Sequence, residues 1–203
     1  KRQLPNPEVV LEDFLHRRGE QYHLKMSSPL SAPEACSRLS VQLASGRLSM
    51  RTVVQSTWRA QQEAKIWPVE QRRTWPKALA AFQSRLHWHC HFMQKFESEP
   101  ELEHRNMARS CDGLRENDFA EAKFQAWCTG QTGYPFIDAC MRFLIAEGWI
   151  NFRMRAMLVS FAAYDLWLHW QRPAFHLAQL FIDFEPGIHY PQVQMQSGTT
   201  GIN

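Results

Sequence analysis

Polar and apolar positions follow a helical period along almost the whole chain. Val10, Leu11, Phe14 and Leu15 form a helical stripe, opened by Asn6 and Pro7 as N-cap and first-turn residue and closed by Gly19. The same spacing predicts helices over 50–65 and 76–97. The second carries Leu79, Phe82, Leu86 and Phe96, with Trp88 and Phe92 beside that stripe. A shorter helix is expected over 117–128, and another from Tyr134 to Glu147, with Thr132 as cap, Pro135 in the first turn and Gly148 as stop. Residues 151–170 read as one long helix, with Met154, Met157, Leu158, Phe161 and Leu168 on or near one face, and Pro173 prevents its continuation. A further helix is expected over 173–182. From Asp183 to Asn203 the period disappears among Pro186, Gly187, Pro191, Gly198 and Gly201, so this stretch reads as irregular chain. Its His189, Tyr190, Gln192, Gln194 and Gln196 suit a loop that lines a site better than a solvated tail.

There is no strand alternation, no internal repeat and no Gly-rich phosphate loop. The expected fold is all-α, a single helical domain over residues 1–203, and any nucleotide would be held by helix ends and side chains. Composition sharpens this only in places. Aromatic residues make up 12% of the chain, with 8 Trp and 13 Phe, which fits either a large apolar pocket or a helical core built from big side chains. The net charge of +3 permits a nucleic-acid partner without requiring one. No apolar run approaches the roughly 20 residues of a membrane span, and no signal peptide opens the sequence. The five cysteines are odd in number and include no CxxC pair, which argues against a disulfide framework and against a metal site, and favours the reducing cytoplasm.

Three constellations carry chemistry. Cys36-Ser37-Arg38-Leu39-Ser40, followed by Gly46-Arg47-Leu48-Ser49, offers hydroxyls and free N–H groups at helix starts, where an anion is favoured. Simple capping is the other reading: Ser31-Ala32-Pro33-Glu34 is a capping box in its own right, and Ser40 could cap a short helix. The second constellation places Arg142, Arg153 and Arg155 on otherwise apolar helices, so each needs a carboxylate such as Asp138 or Asp165, or an anionic ligand. The third is Asp183-Phe184-Glu185, two carboxylates able to accept from ring N–H donors or from Arg155.

Thr-Gly-Tyr-Pro-Phe-Ile-Asp-Ala-Cys-Met-Arg (132–142), the following Gly-Trp-x-x-x-Arg-x-Arg, Val159-Ser160-Phe161 and Asp-Leu-x-x-x-Trp (165–170) resemble the signature of the photolyase/cryptochrome flavin domain. The Cys-Ser-Arg-Leu-Ser stretch is similar to that family's phosphate-binding segment, and the likeness runs from about Tyr22 to Asn203. It implies a helical domain holding FAD, with Ser37, Leu39 and Ser40 lining the diphosphate and Phe82 in place of a Trp that packs beside the flavin. It further implies an Arg155–Asp183 ion pair against the ring, a hydrogen bond from the ring to Glu185, and Trp170 as the middle member of an electron-carrying tryptophan chain.

The departures from the pattern bear on activity. Val193 stands where the innermost Trp of that chain is expected, and the outermost falls near Asn117. His189 replaces an Asn facing flavin N5, and its imidazole could switch charge near pH 6.5. Of two Trp residues that sandwich a pyrimidine dimer, Trp88 is kept and Met195 replaces the other, while Arg85 and His89 replace a Glu and an Arg. Trp170 and His189 are the expected catalytic residues, and Arg85, Trp88 and Arg153 the expected DNA contacts. The function implied is blue-light-driven electron transfer from FAD to pyrimidine lesions in damaged DNA. The alternative is a photoreceptor without repair. The likeness also implies a missing N-terminal α/β antenna domain and further chain after Asn203.

Overall fold

The computed structural model describes residues 4–201 and is helical, with no strand among the described residues. The last two residues of the Gly198–Asn203 stretch lie outside the described residues. The chain forms two compact units, Lys1–Cys90 and His91–Asn203, each with a hydrophobic core of its own.

The first unit contains α1 (Pro7–His16), α2 (Tyr22–Lys25), α3 (Ala32–Ala35), α4 (Ser40–Ala44), α5 (Met50–Ile66), α6 (Val69–Arg72) and the larger part of α7 (Trp75–Ser98). Asn6 caps α1 as expected: its side-chain oxygen accepts from the N–H of Glu8 at 2.9 Å. The box expected at Ser31 does not form, because that hydroxyl donates to the Lys25 carbonyl instead, at 2.9 Å. Nor does Ser40 cap α4; Leu39 occupies the cap position, without a side-chain hydrogen bond. Helix α5 buries Val53, Thr57, Ala60 and Ala64 at spacings of four, three and four, and packs against α1. Phe14, Leu15, Leu39, Leu79 and Phe82 complete this core.

The second unit holds the end of α7, then α8 (Glu121–Thr129), α9 (Pro135–Glu147), α10 (Phe152–Ser160), α11 (Gln171–Leu180) and α12 (Pro186–Ser197). Gly130 ends α8 at φ +63°, where a Cβ would lie 2.9 Å from the Asp138 carbonyl oxygen, so the turn admits only glycine without a shift. At the start of α9 the capping runs opposite to expectation. The Asp138 carboxylate accepts from the N–H groups of Thr132 and Gly133, at 2.8 and 3.0 Å, and from the Thr132 hydroxyl at 2.6 Å. Thr132 is a donor to that carboxylate rather than the cap, which falls on Tyr134.

Two expectations change outright. Residues 151–170 are not one helix: α10 passes into a π-type turn over Phe161–Asp165, and Trp167 then adopts φ +59°. Leu168 and Trp170, two apart, would sit on opposite sides of a continuous helix, yet both are fully buried here. The break allows both to face the core. Residues 183–203 are not a long loop either, because α12 occupies most of them. Pro186 starts it, Gly198 ends it at φ +70°, and Pro191 is accommodated inside. Its inward face is His189, Tyr190, Val193, Gln194 and Ser197, a helical period written largely in polar residues.

Candidate functional site

In the first unit, the segment before α4 turns sharply at Arg38, which sits in the left-handed region at φ +59°. The Leu39 N–H lies 3.4 Å from the Ser37 hydroxyl. Arg18 organises this turn. Its guanidinium donates to the carbonyls of Glu34, Cys36 and Ser37 and pairs with Asp13 at 2.8 Å. With those carbonyls gathered on the cation, the turn runs into the first N–H groups of α4, which a short helix leaves without internal partners. Ser37 and Ser40 are half-buried and Leu39 is buried. The sequence reading missed Arg18; its only sign was a charged residue just before Gly19, which is common on any surface.

Phe82 is buried, with its ring edge-on to Phe14 at 4.7 Å and to Tyr22 at 5.8 Å. Burial pushes the Tyr22 phenol up to about 12, with Cys36 adding to the rise and Arg85 opposing it. About one and two turns further along α7, Arg85 is exposed and Trp88 is 48% exposed, so both are open to solvent at a surface.

In the second unit, α10, the loop before α12 and α12 itself bring Arg155, Asp183 and His189 together. Arg155 pairs with Asp183 at 2.8 Å; the Asp183 side chain is 2% exposed and that of Arg155 24%. The guanidinium also donates from Nε to the Ile150 carbonyl at 2.8 Å and lies over the Phe181 ring, 4.1 Å from its centroid. The expected ion pair is therefore formed by the protein itself, in surroundings that are aromatic on one side. Glu185, half-buried, stands at the N-cap of α12, where its carbonyl accepts the N–H of His189 at 2.8 Å.

His189 is buried among Phe181, Phe184 and Tyr190, and its Nε2 is 2.9 Å from the Ala174 carbonyl, to which it donates. The expected titration near pH 6.5 is not what this environment supports. Burial pushes the imidazole down to about 4; the Ala174 hydrogen bond opposes this, and nearby Arg155 adds to it. His189 is thus a neutral donor at ordinary pH, not a switchable charge.

Trp170 is 1% exposed and donates from its indole N–H to the Asn106 side-chain oxygen at 2.7 Å. Val193 is buried and Met195 is 39% exposed. Of the three arginines, Arg155 is paired with Asp183, Arg142 donates to the Gly130 carbonyl at 2.6 Å, and Arg153 is exposed. Asp165 is exposed. Among the described residues, no group of three or more His, Cys, Asp or Glu is placed to hold a metal ion, and no helix is long and apolar enough to cross a membrane.

Each unit offers groups of the kind that a flavin nucleotide takes up. In the second unit the Arg155–Asp183 pair, its carboxylate desolvated, can meet the polar edge of a ring system without adding net charge; in the first unit, N–H and hydroxyl groups before α4 suit a phosphate. Known proteins agree. The profile of the FAD binding domain of DNA photolyase matches residues 82–203. The chain is 32% identical over 166 residues to a deoxyribodipyrimidine photo-lyase of Vibrio cholerae, covering 79% of this chain and 32% of that protein. Over 80 residues it is 34% identical to a cryptochrome DASH of Idiomarina loihiensis, 39% of this chain and 18% of that one. Among solved structures, a class III photolyase from Agrobacterium tumefaciens superposes with TM-score 0.82 at 25% identity, over 95% of this chain and 37% of that one. An archaeal photolyase from Sulfolobus tokodaii, solved with two FAD molecules, gives 0.74 at 25% identity, over 96% and 40%. The chain spans about a third of the length of the curated photolyases it matches. By the residues it shares and the helical architecture that carries them, the chain belongs to the family of the FAD-binding domain of DNA photolyase.

Proposed function

We propose that this domain holds FAD and supports blue-light-driven electron transfer from it to pyrimidine lesions in DNA. The observation that carries the reading is the buried Arg155–Asp183 pair at 2.8 Å, a costly arrangement in an apolar setting that a ring-shaped polar ligand would put to use. Bound FAD would supply the light-absorbing redox chemistry. The chain's own part is to bind, orient and exclude water. Ser37, Leu39 and Ser40 receive the diphosphate, and Arg18 keeps their turn in shape. In the first unit Phe82 would offer an apolar contact; in the second, Arg155 and Asp183 would meet the polar edge of the ring as a fixed ion pair, and Glu185 would accept a hydrogen bond from it. His189 stays neutral beside it. Trp170 is the aromatic carrier through which an electron reaches the site.

Exposed Trp88 offers a face for stacking a flipped-out pyrimidine, and Arg85 and Arg153 offer charge to the DNA backbone. The N-terminal antenna domain of the photolyase pattern is the expected companion of this domain in its parent protein, and the cytoplasm is the expected compartment. A second reading, light sensing without repair, draws on Val193 and Met195, aliphatic side chains at positions where the family pattern has aromatic ones. One experiment separates the readings. The purified protein should show flavin absorbance, and under blue light it should restore an oligothymidylate carrying cyclobutane dimers. Flavin absorbance with no repair rejects the first reading and leaves the second; a colourless protein that takes up no added FAD rejects both.

A further inference from the structure

The charge of this chain is not spread evenly. Residues 47–77 contain seven Lys or Arg against two Asp or Glu, whereas the whole chain contains 23 against 20. Three of the seven cations, against one carboxylate, lie on α5. The face of α5 opposite Val53, Thr57, Ala60 and Ala64 carries Arg51, Gln55, Trp58, Gln62 and Lys65, spaced four, three, four and three apart, with Arg59 beside them. At 1.5 Å per residue this row extends about 21 Å. Trp58 is 58% exposed in the middle of it, and Arg51, Arg59 and Lys65 are exposed around it.

Intramolecular pairing does not account for these charges. Lys65 donates to Gln62 at 3.0 Å, and among the described residues no carboxylate pairs with Arg51, Arg59 or Lys65. Glu63, four residues after Arg59 and well placed for a helical ion pair, does not form one. An exposed Trp flanked by unpaired cations and side-chain amides is poorly explained by packing. It suits a polyanion that also presents flat aromatic faces.

We infer that the outward face of α5 is a docking track for single-stranded nucleic acid, with phosphates on Arg51, Arg59 and Lys65 and an unstacked base on Trp58. Charge complementarity selects a polyanion. The lone, projecting indole selects a single strand, because duplex base faces are already stacked. Gln55 and Gln62 favour nucleic acid over an anionic membrane, for which an apolar row would be expected. None of these residues is among those assigned above to flavin and lesion, and the inference does not depend on that reading.

The test uses the whole chain in the dark with fluorescein-labelled oligothymidylate that carries no lesion, followed by anisotropy across a salt series. Trp58→Ala should weaken binding about tenfold, within the range found for loss of one base-stacking aromatic, and Trp58→Phe should recover most of it. Replacing Arg51, Arg59 and Lys65 with Gln should reduce the slope of log affinity against log salt by about 2. All of these side chains are exposed, so circular dichroism should be unchanged, and Arg51→Gln alone provides a milder variant. Unchanged affinity and salt slope in the α5 variants would overturn the inference. So would a Trp58-dependent attachment to phosphatidylserine vesicles by a protein that ignores the oligonucleotide. Because no light or lesion is used, either result leaves the photochemical reading to be judged by its own experiment.

Discussion

Arg155 meets Asp183 end-on: one nitrogen, Nη2, reaches both carboxylate oxygens, at 3.0 and 2.8 Å, while Nε is committed to the Ile150 carbonyl. The guanidinium is thereby fixed at two corners and stacked on Phe181. Arg155→Ala would leave a nearly inaccessible carboxylate without its cation, at a cost of about 3–5 kcal/mol. Flavin content, read as the ratio of visible to protein absorbance after purification, should fall with it. Arg155→Lys should restore the charge but not the Ile150 contact, giving an intermediate loss in thermal denaturation. A wild-type melting temperature and flavin ratio in Arg155→Ala would remove the pair from any central role.

His189 provides a pH signature. Its imidazole titrates near 4 in the fold, below its ordinary value of about 6.5 in an unfolded chain, chiefly because it is buried. The unfolded chain therefore binds the extra proton first. The contribution to stability is complete above pH 6.5 and is lost as pH falls from 6.5 towards 4. On the order of 3 kcal/mol is at stake for a shift of this size. Urea titrations at pH 7.5, 6 and 4.5 should show the decline, and His189→Asn should flatten it. A decline of the same steepness in the variant would assign it to other groups.

Gln194 is fully buried and ties α12 to the chain between α7 and α8. Its amide nitrogen donates to the carbonyls of Leu102 and Arg105, both at 2.8 Å, and its oxygen accepts the Met107 N–H at 2.7 Å. Gln194→Leu keeps the volume and strands three backbone groups. The expected loss is about 3 kcal/mol or more, measurable by chemical denaturation.

Gly130→Ala should be harmful although it adds one methyl group. The backbone is at φ +63°, and the new Cβ would stand 2.9 Å from the Asp138 carbonyl oxygen and 3.0 Å from the Arg142 side chain. The left-handed conformation alone costs roughly 1–2 kcal/mol for an L-residue. The overlap with α9 adds to that. A loss below 0.5 kcal/mol in chemical denaturation would show that the α8–α9 corner relaxes freely.

The electron path can be read from two substitutions. Trp170→Phe removes an indole and its bond to Asn106, and should slow light-driven bleaching of flavin absorbance in the presence of a reductant. Tyr190→Phe removes the phenol that donates to Glu103 at 3.0 Å, a group held protonated because burial and that carboxylate push it up to about 12. With Val193 aliphatic, the buried Tyr190 is the alternative to Trp170. Equal bleaching rates in wild type and both variants would place the path elsewhere.

By itself, the sequence determined the helical class, the starts of α1 and α9 near Asn6 and Pro135, the bodies of α5 and α7 to within about a residue, and the family likeness. Those rest on local causes: a cap bonds two or three residues away, proline and glycine act on their own dihedral angles, and a helical stripe repeats within one turn. Only the tertiary structure decided the rest. It ended α10 at a π-type turn because Leu168 and Trp170 must both be buried, a demand made by the core and not by their neighbours in sequence. It made a helix of residues 186–197, whose buried face includes His189 and Gln194, because distant carbonyls at Leu102, Arg105 and Ala174 receive those two side chains. It placed Arg18 on the carbonyls of a turn some sixteen to nineteen residues away. It also turned His189 from an expected charge switch into a neutral donor, because the free energy of an ion depends on how much water the surrounding fold removes, and that quantity is set by every element packed around it.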